Sequence, residues 1–211
     1  MPSGAPAMLR RLLVPRVVVV TRRLAPTSSA ALPPGASVFP DFLSVAEHDE
    51  LVEVVEKRLK RRRYERDHWD SVIVNYRESE VADRFLGGGA WLAVSRARAL
   101  LAEEHGCAAF LPAHAIDLAA DGAITPHVDS VKFSGGVVAG LSLLSPATLA
   151  LGAADPATGE EITGGARYEA RLAPRSLYVL AGEARYAYAH AIGGLDGRRL
   201  SLILRDARPP D

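Results

Sequence analysis

Two residues with the chemistry of metal ligands stand two apart in this chain, His127 and Asp129. On an extended segment side chains alternate between faces, so both would point the same way. One imidazole nitrogen and one carboxylate oxygen then converge on a point. A second histidine from a distant strand would complete a set of two histidines and one carboxylate. That set leaves open coordination positions and suits non-haem iron(II) chemistry with oxygen. Only His190 lies downstream of the pair, 61 residues after Asp129. The four upstream histidines, His48, His68, His105 and His114, are read as non-ligands. His-x-Asp occurs by chance, and a lone histidine is usually an ordinary core or surface residue, so the pattern needs support elsewhere.

The segment Arg199–Arg205 supplies it. Arg199 and Arg205 are six apart and share a strand face with Ser201 and Ile203, while Leu200, Leu202 and Leu204 take the other. Burying two guanidiniums without anions costs several kcal/mol each. A dianionic ligand beside the metal would provide those anions through bidentate carboxylate pairs. The alternative is a strand at a sheet edge with solvated arginines.

These residues need a scaffold. With 211 residues, 48% hydrophobic and 24% charged, the chain suits one globular domain with a sizeable core. Cys107 is alone, which excludes a disulfide framework and a thiolate metal cluster. Net charge is zero but uneven. Residues 1–40 hold five arginines and no acid, leaving 20 basic and 25 acidic residues after them. A mildly acidic body argues against binding nucleic acid through bulk charge. The arginine-rich, acid-free, hydroxyl-containing start has the composition of a mitochondrial transit peptide, placed over residues 1–35. A disordered extension without an address is the alternative. Its apolar runs are too short to span a bilayer.

A single folded domain is expected over residues 36–211. Ser44 and Glu47 form a capping-box pattern, and Leu51, Val55 and Leu59 follow at helical spacing. Seven of the ten residues 57–66 are basic. They read as a solvated helix C-terminus, or as a patch for a phosphate-bearing or acidic partner. Val72, Val74 and Tyr76 alternate as a short strand before Gly87-Gly88-Gly89. Trp91, Val94, Leu101 and nearby alanines mark a second helix, closed at Gly106. After Pro112 strands dominate, with a turn expected at Asp121-Gly122. The fold class is therefore α+β, mainly β: a double-sheet jelly roll braced by N-terminal helices.

At this point the chain resembles the AlkB family of iron(II)- and 2-oxoglutarate-dependent dioxygenases, and within it the mitochondrial seventh-homologue branch. The resemblance rests on the motif Arg62-Arg-Tyr-Glu-x-Asp-His-Trp-Asp, on Pro126-His-Val-Asp-Ser-x-Lys-Phe, and on Ala139-Gly-Leu-Ser-Leu-Leu-Ser-Pro. It also rests on Ser176 to His190 and on Arg198-Arg-Leu-Ser with Arg205, and it covers about residues 38–206. It implies a double-stranded β-helix core with iron(II) on His127, Asp129 and His190. It implies Arg199 on the distal carboxylate of 2-oxoglutarate, and Arg205 near the 1-carboxylate and Asp129. In that branch a tyrosine twelve residues before the second histidine contacts 2-oxoglutarate, and Tyr178 matches it. Oxygen is the remaining co-substrate.

There is one departure. Nucleic-acid-repairing members carry Asn-x-Tyr ending nine residues before the first metal histidine; here those positions are Ile116-Asp117-Leu118. The segment that would form a nucleotide-recognition lid is also short. Both argue against duplex DNA repair by base flipping. The resemblance thus implies a dioxygenase of the mitochondrial matrix that hydroxylates a protein side chain or a small molecule. An RNA N-demethylase using the 57–66 run is one alternative. A low-turnover module of the same fold, in mitochondrial metabolism or cell-death signalling, is another. No duplex DNA partner and no membrane span are expected.

Overall fold

The computed structural model describes residues 32–68, 71–132 and 134–207. Most of the expected leader, residues 1–31, lies outside the described residues, as do Trp69, Asp70 and Phe133 of the family motifs. Residues just before position 36 are bonded into the fold. The carbonyls of Pro34 and Gly35 accept from the backbone N–H groups of Ala184 and Ala181.

Two helices form one layer. Helix α1 spans Val45–Leu59, and Ser44 and Glu47 cap it reciprocally as their spacing predicts. Its buried face is Leu51, Val55 and Leu59, each contributing roughly 1.5–3 kcal/mol by burial. Helix α2 spans Gly88–His105 and ends at Gly106, whose φ of 69° is left-handed. Its inner face differs from expectation. Ala90, Ala93, Val94, Ala97 and Leu101 are buried, whereas Trp91 is 42% exposed. Small alanines let α2 lie close against its neighbours, and the bulky indole is left outside.

The described residues also form ten strands: β1 Ala36–Phe39, β2 Glu65–Asp67, β3 Ile73–Val81, β4 Ala113–His127, β5 Val137–Leu144, β6 Ala147–Ala153, β7 Arg167–Leu172, β8 Leu177–Ala181, β9 Tyr188–Gly193 and β10 Arg199–Arg205. All pairings are antiparallel, in the order β1-β8-β5-β10-β4-β9-β6-β7, with β3 along Ala113 to Ile124 of β4 and β2 on β3. The result is the nearly closed double-stranded β-helix, or jelly roll, expected from the strand count. The expected turn at Asp121-Gly122 is not a break. β4 runs through it as one long strand, with the register against β3 shifting beside Asn75. That bulge bends β4 from one side of the jelly roll to the other.

The alternation of β10 separates two cores. Leu200, Leu202 and Leu204 pack with α1 and α2 on the outer face. Ile203 packs inside with Ile116, Leu118 and Tyr178. β10 lies between β4 and β5, so its inner face is enclosed and is not a solvated edge.

On the outer face one polar cluster ties α1 to the sheet. Asp117 is fully buried and accepts from Nε of Arg77 at 2.7 Å and from Nε and Nη2 of Arg198 at 2.8 and 2.7 Å. Arg198 also donates to Glu56 of α1 at 2.7 Å. The strand alternation that turns Ile116 and Leu118 inward turns Asp117 toward the helices.

Candidate metal centre

His127, Asp129 and His190 come together at one end of the jelly roll. His127 and His190 face each other across the β4–β9 ladder, with ring centroids 4.2 Å apart. One ligand atom from each of the three residues lies within 4.8 Å of the other two. Among the described residues no other group of three histidine, cysteine or acidic side chains is arranged this way. His48 pairs instead with Asp49, and His114 with Glu78.

The pair His127 and Asp129 is aimed differently from the expectation. β4 ends at His127, so strand alternation does not place Asp129. Two arginines hold it. Arg205 donates from Nε to Oδ2 at 3.0 Å, and Arg185 donates from Nη1 to the Asp129 carbonyl at 2.9 Å. Arg185 lies on a short helix, α3 (Gly182–Tyr186), that the strand reading of the sequence missed. Nothing in the local pattern singles it out.

Nδ1 of His127 lies 2.9 Å from the Thr125 carbonyl, which can only accept, so this nitrogen carries a proton. In the neutral ring Nε2 is then a lone pair, and it sits 3.0 Å from Oδ1 of Asp129. Two acceptors at that distance need a proton or a cation between them. A carbonyl that fixes the tautomer behind a metal-facing nitrogen is the usual outer support of a histidine ligand. Burial pushes the Asp129 carboxyl up, but the His127 contact and the nearby Arg205 charge outweigh it and hold the group far below the usual carboxylate range. Burial pushes His190 down to about 3. Both groups are thus in their ligating forms near neutral pH: an anionic carboxylate and a neutral imidazole.

Behind this group lies a buried cation. Arg199 is 1% exposed; Nη2 donates to Ser142 Oγ at 3.3 Å, and Nη1 has no partner among the described residues. Burial pushes its pKa down to about 10. Tyr178, 3% exposed, is close enough for its hydroxyl to interact electrostatically with Arg199. Gly140 makes room for that ring: a Cβ there would stand 2.3 Å from Cε1 of Tyr178. Arg199 pairs across the ladder with Leu118, and Ser201 with Ile116. The positions where a repair enzyme has Tyr and Asn are therefore alkyl walls beside the buried arginine.

A cavity of about 410 Å³ opens over the group. Val72, Ile73, Leu111, Pro112, Ile116 and Val128 supply apolar walls, and His68, Glu78 and His114 are polar groups on the β3–β4 side. The sequence reading did not single out Glu78. Its pKa is lowered mainly by the 2.9 Å contact with Nε2 of His114, so it is ionised at neutral pH. None of residues 57–66 lines the cavity.

No family model matches the chain. Curated relatives do. Alpha-ketoglutarate-dependent dioxygenase alkB homolog 7, mitochondrial, is 40% identical in Bos taurus and 39% in Mus musculus, each over 81% of this chain and 77% of the relative. Among solved structures, a Pseudomonas putida prolyl-4-hydroxylase superposes with a TM-score of 0.60 at 14% identity, over 83% of this chain and 94% of that one. OsALKBH1 superposes with a TM-score of 0.56 at 14% identity, over 83% and 98%. These structural likenesses bear on the fold.

The residues present fit the group such enzymes use. Three converging donors of the 2-His-1-carboxylate type suit iron(II). A buried guanidinium with an orphaned nitrogen suits a carboxylate. At the identity and coverage of its curated relatives, the chain belongs to the AlkB homolog 7 family of 2-oxoglutarate-dependent dioxygenases, enzymes that use iron(II), 2-oxoglutarate and oxygen.

Proposed function

We propose that the protein hydroxylates a protein side chain or a small molecule in the mitochondrial matrix. In this reading His127, Asp129 and His190 hold iron(II). Arg199 takes the distal carboxylate of 2-oxoglutarate, Arg205 lies at its 1-carboxylate end beside Asp129, and Tyr178 adds its hydroxyl. When bound, the metal and co-substrate couple reduction of oxygen and decarboxylation to succinate with oxidation of a substrate C–H bond.

The chain's own residues orient and exclude. The Thr125 carbonyl keeps the proton of His127 on Nδ1 and its Nε2 toward the metal position. Arg205 orients the Asp129 carboxylate. Arg199 draws a dianion into the jelly roll, because an anion there relieves an otherwise unpaired buried charge. The alkyl groups of Ile116 and Val128 keep water from the reacting position.

The observation that favours a protein or small-molecule substrate is the cavity lining. It presents apolar walls and the ionised Glu78, while the basic residues 57–66 do not line it. A carboxylate on the cavity wall repels phosphate and favours a neutral or cationic group. The test is mass spectrometry of the iron-loaded protein with oxygen, 2-oxoglutarate and a mitochondrial extract. The expected product is a protein or metabolite heavier by one oxygen atom. Loss of methyl groups from RNA, without such a product, would establish the demethylase instead.

The matrix assignment is supported by the arginine-rich, acid-free leader and by the mitochondrial names of the relatives. No helix among the described residues is long and apolar enough to cross a membrane. Residues 1–35 fused to a fluorescent protein should carry it into the matrix; a cytosolic signal would remove the transit-peptide reading.

A further inference from the structure

Asp129 sits past the last residue of β4, so no ladder partner holds its backbone. Arg185 meets that need from another part of the fold. Nη1 donates to the Asp129 carbonyl at 2.9 Å, and Nη2 donates to Ser134 Oγ at 3.0 Å. One planar guanidinium thus joins Asp129 to Ser134. Ser130 and Ser134 of that segment line the cavity, and Val131 at its crest is 51% exposed.

Arg185 itself is 2% exposed. Its hydrogen-bond partners among the described residues are a carbonyl and a hydroxyl, and its Nε has none. A buried guanidinium without a hydrogen-bonded anion is expensive for a fold whose alternative at that position is an apolar side chain. Packing does not explain it; holding the segment does. The charge of the Asp129 carboxylate partly offsets the burial that pushes the Arg185 pKa down. Arg185 is also five residues before His190, on the helix that leads into β9. The staple therefore links the segment carrying one of the three metal-facing residues to the element leading to another.

We propose that Arg185 is a positioning residue that ties Asp129 to Ser134 and so sets how tightly the His127–Asp129–His190 group holds a divalent metal. This rests on the assignment of those three residues as ligands. The guanidinium touches neither metal nor co-substrate; it acts through the backbone of Asp129.

The probe is manganese(II), titrated calorimetrically into the full chain without 2-oxoglutarate, with amide hydrogen exchange over residues 129–134 read alongside. Arg185→Gln is expected to bind manganese(II) roughly 10–100-fold more weakly, the usual effect of removing an outer support of a metal ligand. Its Ser130, Val131, Lys132 and Ser134 amides should exchange faster. Arg185→Lys keeps one donor and should recover part of the affinity. Ser134→Ala cuts one of the two straps and should loosen the segment with a smaller loss. Wild-type affinity and exchange in Arg185→Gln overturn the proposal. If that variant does not fold, wild-type affinity in both Arg185→Lys and Ser134→Ala overturns it. Failure of the ligand assignment looks different: Asp129→Ala would then bind manganese(II) as tightly as the wild type.

Discussion

Nε of Arg205 donates to Oδ2 of Asp129 at 3.0 Å, across 76 residues of chain. The bond joins the last strand of the jelly roll to the segment just beyond β4. It leaves Oδ1 facing His127, where a metal would sit. Arg205→Ala should weaken manganese(II) binding by about tenfold and raise the KM for 2-oxoglutarate. Asp129→Ala should abolish succinate release altogether. Continued succinate release from Asp129→Ala would remove the metal assignment.

Arg199 carries a sharper expectation, because the apo protein is worse off for having it. With Nη1 orphaned and the side chain 1% exposed, Arg199→Leu should leave the melting temperature of the metal-free protein unchanged or raised. The same variant should lose the thermal shift that 2-oxoglutarate produces in the wild type. Affinity for 2-oxoglutarate should fall roughly 30-fold or more. An unchanged shift, read by scanning fluorimetry, would undo the anchoring role.

Asp117 is a stability residue with its back to the site. Arg77 of β3 and Arg198, just before β10, converge on its buried carboxylate, and Arg198 carries the link on to Glu56 of α1. Asp117→Asn leaves those guanidiniums without their anion and should cost about 3 kcal/mol of unfolding free energy. Urea unfolding measures it. Manganese(II) affinity of the folded fraction should be unchanged, since Asp117 faces away from the cavity.

The N-terminus of α1 makes stability depend on acid. The Arg96 guanidinium, bonded to both carboxylate oxygens of Glu47, lowers that carboxyl from 4.5 to about 2. A depressed folded-state pKa adds stability that is full above about pH 4.5 and is lost as pH falls toward 2. Glu47→Gln should lower stability at pH 7 and flatten the stability curve across that window. Equal slopes for the two proteins in acid would show that Arg96 contributes nothing there.

The basic run can be separated from the site. Lys57 pairs with Glu53, the Arg58 guanidinium stacks over the Phe85 ring, and residues 57–66 stay off the cavity wall. Replacing Lys60 to Arg63 by neutral residues should leave succinate release with a protein substrate unchanged. A lost RNA affinity with a shallower salt dependence would instead tie the run to a nucleic-acid substrate. Glu78→Gln should alter substrate KM more than kcat, because its carboxylate lines the cavity and is not among the three proposed ligands.

Several features were legible from short-range pattern alone. The Ser44–Glu47 box, the Gly106 stop and the in–out alternation of β10 each depend on residues within one turn or one pleat of each other. The candidate histidine partner could be named because only one histidine follows Asp129. The family motifs extended that reading to the fold and the cofactors. Trp91 was misjudged because helical periodicity marks a face without saying whether a large or small side chain fits the neighbour.

By itself the sequence determined the periodic elements and which residue types could hold a metal and a dicarboxylate, since both follow from spacing along one strand or helix. Only the tertiary structure decided how Asp129 is aimed. Its carboxylate and carbonyl are held by Arg205 and Arg185, 76 and 56 residues away. The same holds for Asp117, whose partner Arg198 is 81 residues on. Such contacts depend on the register of strands that meet only when the jelly roll closes, and no local repeat encodes that register.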